Sequence, residues 1–422
     1  MALPRLALLA AADMVIYVSD QLIYQLGPTM QSARSSGEWK RQAMTVEGFT
    51  ITRFQFARDR VIGDSQVHFA YCHIGVLELH GSDGQTGTGF FFSLANALPG
   101  QDELQRLFLQ EAWDGLRGGH PAVLLNRLRR PRGGNIRGFS IPFEQAINQA
   151  LWDLEAKRAG LPLYRLLGGT DPKVRLYASG LCYHLTDEQF ASLFTQAREQ
   201  GYRGFKIKVG HPDIEWDLRR LAIIKEIARG HGPVMIDSNE AWSPKEAIRR
   251  LKIFLREGHE ILWMEDPCLR DDFEGLREIR LAVPEIMVNS GEYLDLHGKR
   301  KLIDARAVDI LNVHGVVSDV MKAGWLAAEH GLEVSLGNTS FEIGVHMAAA
   351  LPECRWMEYS FQNYAHLLEK PIVLEDGYAW APDVPGHGLA LSDQARRSLA
   401  VPDVRRDEEL PPAPPGPIAL TM

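Results

Sequence analysis

The chain has 422 residues, 45% of them hydrophobic, and a formal net charge of −8 with both signs dispersed. That supports a core large enough for two domains and makes nucleic acid and anionic membrane surfaces poor partners. No apolar run reaches about 18 residues, so a membrane-spanning helix is not expected; Cys72, Cys182, Cys268 and Cys354 are too scattered for a zinc or redox motif.

Residues 1–43 read as an N-terminal extension. Asp13 and Asp20 interrupt its opening apolar stretch and no clear small-residue cleavage site follows, so a reducing, cytoplasmic location is expected. Residues 44–168 read as an α+β module. ITRFQF and HIGVLELHGSDGQTGTGFFFS predict three strands, and helical patterns follow at 102–117 and 119–128. A longer helix carries Phe143, Ile147, Ala150, Leu151 and Leu154 on one stripe and stops at Gly160 and Pro162.

From 169 to 365 the pattern alternates. VRLYAS, GFKIKV, PVMIDS, ILWMED, IMVNSG, VDILNV, EVSLGN and RWMEYS are strand candidates, with an amphipathic helical stretch in each interval. Eight short strands alternating with helices predict an α/β fold, a parallel (β/α)8 TIM-type barrel preceded by the α+β capping domain. Residues 366–400 read as a return toward the first module, and the Pro-rich 401–422 as a disordered tail. A doubly wound open sheet is the alternative architecture, but no GxGxxG follows the first strand.

Chemistry gathers at the ends of these strands. Asp237, Glu265 and Glu292 close three successive apolar runs, 28 and 27 residues apart, about one βα unit each. Lys206 and Lys208 close the preceding run; at i and i+2 of a strand they share a face. Three hard oxygen ligands opposite two lysines describe a divalent-cation site with a base beside it. Capping of the following helices is the blander reading of the acids, and it fits poorly with a Glu preceding Asp-Pro.

KxK, DxN, MEDP and GE in this order and spacing resemble the enolase superfamily, in its mandelate racemase and muconate-lactonizing branch, over about residues 47–395. The resemblance implies Mg2+ at Asp237, Glu265 and Glu292, and a small-molecule carboxylate substrate whose α-proton is removed to give an enediolate. It also implies a homo-oligomer. Lys208 would be the base, with Lys206 as a like charge lowering its pKa. Glu358 in WMEYS matches the family's strand-eight acid that hydrogen-bonds the substrate carboxylate.

Two departures stand out. In the mandelate racemase subgroup a strand-six Asp pairs with a strand-seven His as a second base; Asp309 takes the first position, but Asn338 stands at the second and cannot accept a proton. The other subgroups carry a strand-six Lys where His314 stands here, so His314, or more weakly His184 after strand one, is the remaining candidate. Family substrate selection lies in two capping loops, here about 57–69 and 92–99; Arg58, Arg60, Asp64, Gln66 and His68 make the first polar and suited to a hydroxylated acid. The basic run Arg129, Arg130, Arg132 and Arg137 reads as a solvated charge cluster. Together these point to a Mg2+-dependent dehydratase of a sugar acid. A racemase, epimerase or cycloisomerase of the same family, and a non-catalytic metal-stabilised binding protein, are the rival readings.

Overall fold

The computed structural model describes residues 44–92, 98–127, 141–337, 339–362 and 364–397. The expectations for residues 1–43, for Arg129, Arg130, Arg132 and Arg137, for most of the second capping loop, for Asn338 and for the 401–422 tail lie outside the described residues.

Strands β1 (Val46–Gly63), β2 (His68–Gly81) and β3 (Thr86–Phe92) form an antiparallel meander in the order β1-β2-β3. The stretch 57–69 is therefore no loop: β1 and β2 run on as an arm whose tip is only residues 64–67, with a register shift between Ala57 and Ile62. Alternation is hidden there because the buried face accepts Arg60, whose guanidinium donates to the carbonyls of Phe361, Gly180 and Ser360. The helix Phe143–Ala159 lies across β3 so closely that a Cβ at Gly87 or Gly89 would stand 2.1 Å from Ala150 O or 1.9 Å from Ala146 O, which makes glycine a packing requirement at both positions.

Eight parallel strands then close a barrel: β4 (Lys173–Ser179), β5 (Phe205–Lys208), β6 (Val234–Asp237), β7 (Trp263–Glu265), β8 (Met287–Ser290), β9 (Ile310–Val313), β10 (Glu333–Leu336) and β11 (Cys354–Tyr359), with β11 pairing back onto β4. All eight coincide with the predicted apolar runs, and a helix fills each of the seven intervals. N-caps set several helix starts, as where Thr186 and Gln189 form a capping box and Asp213 accepts from the Glu215 N–H. After β11 the hairpin β12 (Val373–Glu375) and β13 (Tyr378–Trp380) pairs antiparallel with β4. His387 then hydrogen-bonds Thr88 O at 2.7 Å, and Arg396 pairs with Glu78 at 2.6 Å.

Candidate active site

Inside a closed barrel every second residue of each strand points inward. One inward layer consists of Tyr177, Met235, Trp263, Ile310 and Trp356, buried and packed together, with the Tyr177 and Trp263 rings 5.4 Å apart. Two residues further along four of these strands stand Asp237, Glu265, Asn312 and Glu358, all at most 2% exposed. Lys206 and Lys208 join this upper layer at 2% and 5% exposure.

The lysines and acids form one network. Lys206 Nζ donates to Glu265 Oε1 at 2.6 Å and lies 3.2 Å from Glu358 Oε1 and 3.5 Å from Asp237 Oδ2. Lys208 Nζ donates to Asp237 Oδ2 at 2.6 Å and to Asn239 Oδ1 at 2.7 Å. The other oxygen of each acid is held from behind: Asn239 N–H donates to Asp237 Oδ1 at 2.9 Å, and Trp263 Nε1–H to Glu265 Oε2 at 3.3 Å. Backbone strain collects around this layer. Of the nine described non-glycine residues with positive φ, seven follow the C-terminal ends of barrel strands: Leu181, Asn239, Glu240, Asp266, Phe341, Glu342 and Phe361.

Electrostatics sort the groups. Burial pushes Glu265 well above the usual carboxylate range, and Asp237, Glu358 and Glu292 add like-charge repulsion against the pull of Lys206. Burial, reinforced by Glu358, raises Glu292 to about 7. Asp237 is lowered, because Lys208 and Lys206 outweigh its burial. Burial opposes the charge on both lysines, yet their acidic partners hold both pKa values above normal. The expectation that Lys206 depresses the Lys208 pKa is thus corrected: Lys206 does act in that direction, but Asp237 at 2.6 Å is closer and wins.

A cavity of about 310 Å³ opens over this layer, lined by Lys206, Lys208, Asp237, Asn239, Glu265, Glu292, His314 and Glu358. Among the described residues no trio of His, Cys, Asp or Glu side chains stands ready-formed around a metal ion. Asp237 and Glu265 are turned to the two ammonium groups instead. The donor set nevertheless suits a divalent cation: Glu265 and Glu292, whose charged forms burial and like-charge repulsion disfavour, line one cavity with Asp237, and rotation of Asp237 and Glu265 off the lysines would free hard oxygen donors.

Residues 189–395 match the family of enolase C-terminal domain-like proteins. A solved protein of mandelate racemase type from Mesorhizobium loti superposes with a TM-score of 0.83 at 53% identity, covering 88% of this chain and 99% of that one. The chain belongs to the enolase superfamily. L-talarate/galactarate dehydratase of Salmonella typhimurium is 28% identical over 404 residues, 90% of this chain and 96% of its own length. A mutant L-talarate/galactarate dehydratase, solved with Mg and L-glucarate, gives a TM-score of 0.72 at 28% identity over 84% of this chain and 92% of its own. Relatives of this enolase-superfamily enzyme also include a cycloisomerase and epimerases.

Within this enolase-superfamily site Lys206, Lys208, Asp237, Glu265, Glu292, Glu358 and His314 come together, and two other candidates do not. Asp309 precedes β9 rather than ending it. Its carboxylate accepts from Arg280 Nε at 2.7 Å and from the Val288 N–H at 2.9 Å, so it ties the N-terminal end of the barrel, away from the mouth. The strand is four residues long, and its inward polar positions are Asn312 and the following His314, not its leading aspartate. His184 is exposed, its Nε2 lies 3.2 Å from Val67 O, and its ring packs on His68.

The polar reading of the capping arm also needs correction. Asp64 lines the cavity, but so do Ile62, Val67, Phe69 and Phe92. Arg58 bonds the carbonyls of Tyr71 and Gln362, Arg60 those already named, and Gln66 the Asn239 carbonyl, so these side chains fasten the arm to the barrel mouth. Sequence reasoning missed Tyr293, which lines the cavity with its ring 5.4 Å from that of His314, and the group Asp266, Arg270 and Ser290 just outside it. Arg270 donates to Asp266 Oδ2 at 2.8 Å, and the left-handed φ of 39° at Asp266 was the part no pattern could reveal.

Proposed function

We propose that this enzyme removes the α-proton of a carboxylate substrate and dehydrates it, the substrate being a sugar acid. The observation that carries this reading is the buried pair Lys206 and Lys208 facing Asp237, Glu265, Glu292 and Glu358 across one cavity. Asp237, Glu265 and Glu292 are the residues that would hold Mg2+, which when bound supplies positive charge to stabilise the electrons left on the substrate carboxylate. With Asp237 so engaged, Lys208 loses its nearest anion and keeps Lys206 as a like-charged neighbour, which favours the neutral amine a base requires.

Lys208 Nζ then takes the α-proton, and the electron pair of that C–H bond expels the β-hydroxyl. His314, across the same cavity, delivers the proton with which the hydroxide leaves as water; the resulting enol becomes a 2-keto acid. Glu358, beside Lys206, orients the substrate carboxylate. Asp64, Asn239 and Gln362 supply polar contacts for hydroxyl groups, while Ile62, Val67, Phe69 and Phe92 exclude bulk water. The dehydratase relative supports this choice within the family.

A second reading rests on His314 itself: a histidine lining the cavity that contains Lys208 would also suit a racemase or epimerase with two bases. Turnover of a library of sugar acids and amino-acid derivatives in deuterated water separates the readings. Loss of water with a 2-keto product is expected. Deuterium at the α-carbon with inversion and no loss of water would favour the epimerase, and absence of any α-proton exchange would sink both.

A further inference from the structure

The three acids at the cavity are not held in the same way. Asp237 and Glu265 are the last residues of β6 and β7, and the ladder fixes their backbone: Asp237 stands opposite both Lys208 and Glu265, and Glu265 opposite Asn289. Glu292 lies two residues past the end of β8, after the chain has turned at Gly291 with φ of 111°. No strand register sets the direction of its side chain.

The following helix, Leu296–Asp304, supplies what the ladder does not. Its Lys299 is only 3% exposed, and the ammonium donates to the carbonyls of Gly291 and, at 3.4 Å, of Glu292. Those two carbonyls belong to the peptide planes on either side of the Glu292 Cα. A peptide unit is planar, so fixing both planes fixes φ and ψ of Glu292 and with them the direction of its Cα–Cβ bond. The lysine is itself anchored, since the Lys299 N–H donates to Asp295 O at 2.9 Å and the Asp295 carboxylate caps the helix through the Gly298 N–H at 2.8 Å.

A lysine is a costly way to hold two carbonyls. Burial pushes its pKa down to about 8 against the pull of Glu292 and Asp266, so it keeps its charge at neutral pH. Lys299 does not line the cavity, whereas Glu292 does. It therefore acts on anything bound there through Glu292.

We propose that Lys299 is a positioning residue for the divalent-cation site: its ammonium pins the two peptide planes that flank Glu292 and so aims that carboxylate into the cavity. The proposal rests on the reading of Asp237, Glu265 and Glu292 as the residues that hold the cation. Its sign is open to test, because the charge of Lys299 by itself repels a cation. Loss of the positioning weakens cation binding, and loss of the charge alone strengthens it.

The experiment is titration of the protein with Mn2+, followed by the electron paramagnetic resonance of the free ion. Lys299→Met keeps the length of the stem and removes the donor. It should weaken Mn2+ binding by about 10- to 100-fold, the effect usual for partners that orient a metal ligand. Turnover should then need more Mg2+ for half-saturation while recovering toward the wild-type rate at saturation. Leu302→Ala is the packing control: Leu302 is buried on the same helix and its side chain lies beside Gly291, but it donates to neither carbonyl. It should bind Mn2+ as the wild type does. Unchanged or tighter binding in Lys299→Met, or equal weakening in Leu302→Ala, overturns the proposal. If Lys299→Met does not fold, Lys299→Gln, which is shorter and uncharged, is read in its place with the same expectation. Failure of both to fold would make Lys299 a residue of stability alone and also overturn it. Glu292→Gln separates this outcome from failure of the underlying reading. If the wild type does not bind Mn2+, or Glu292→Gln binds it equally well, the cation site itself is wrong; if Glu292→Gln weakens binding and Lys299→Met does not, only the role of Lys299 is.

Discussion

The two inward layers of the barrel are built by the same strands two residues apart, and they have opposite chemistry. Met235, Trp263, Ile310 and Trp356 form a dry aromatic and aliphatic floor, while Asp237, Glu265, Asn312 and Glu358 above them carry charge or an unpaired amide. The floor is stable through apolar burial, whereas the layer above holds acids and lysines whose pKa values are displaced by burial and by one another. A residue's distance along its strand therefore decides whether it serves stability or chemistry. The floor also supports the layer above, since Trp263 both packs against Tyr177 and donates to Glu265.

The comparison breaks most sharply at Lys208. Lys208→Ala should remove about 10²- to 10⁴-fold of turnover and abolish α-proton exchange, with the fold intact by circular dichroism. Retention of wild-type exchange would mean that the base lies elsewhere. Chelation of divalent cations should produce a loss of similar size that Mg2+ restores, checked by steady-state rates before and after readdition.

Floor substitutions should reverse the balance. Trp263→Ala opens a cavity under a fully buried side chain and should cost about 3–5 kcal/mol in denaturant unfolding. The protein that remains folded should still exchange the α-proton, more slowly as Glu265 loses a donor.

The charged layer should also show itself in the pH dependence of stability. Burial first, and then Glu358, raises the pKa of Glu292 in the folded chain to about 7 from an ordinary 4.5, so the folded state holds a proton that the unfolded chain releases. Its contribution is fully present below about pH 4.5 and is lost as pH rises through about 7. Cation-free protein should lose Tm across that window. Glu292→Gln should flatten the slope, and Mg2+ should do so too; an unchanged slope in Glu292→Gln would remove Glu292 as its source.

The smallest effect belongs to the barrel's other end. Asp309→Asn should leave turnover within about a factor of two. It should lower stability by about 1 kcal/mol, because the Val288 N–H and Arg280 keep only a neutral acceptor.

Much of this was legible in the residues. Eight apolar runs, and acids 28 and 27 residues apart at their ends, gave the barrel and the cavity's charged residues, because strand period and βα spacing are local properties of the chain. Asp309 was misplaced because a carboxylate at the head of a four-residue strand and one at its foot look alike in sequence; only the ladder tells which end is the mouth. The capping arm was misread because Arg60, a surface residue by composition, is buried against three carbonyls contributed by residues 120 to 301 positions away.

By itself, then, the sequence determined the alternation of strands and helices, the inventory of acids and lysines, and membership of a family, all of which follow from short-range periodicity and motif spacing. The tertiary structure decided which oxygen faces which ammonium, the sign of the Lys208 pKa shift, the apolar wall of Ile62, Val67, Phe69 and Phe92, and the unpaired amide of Asn312 beside the missing side chain of Gly337. Those features depend on distances between residues far apart in the chain. Charge interactions in a buried layer change over a few ångströms, which no linear pattern encodes.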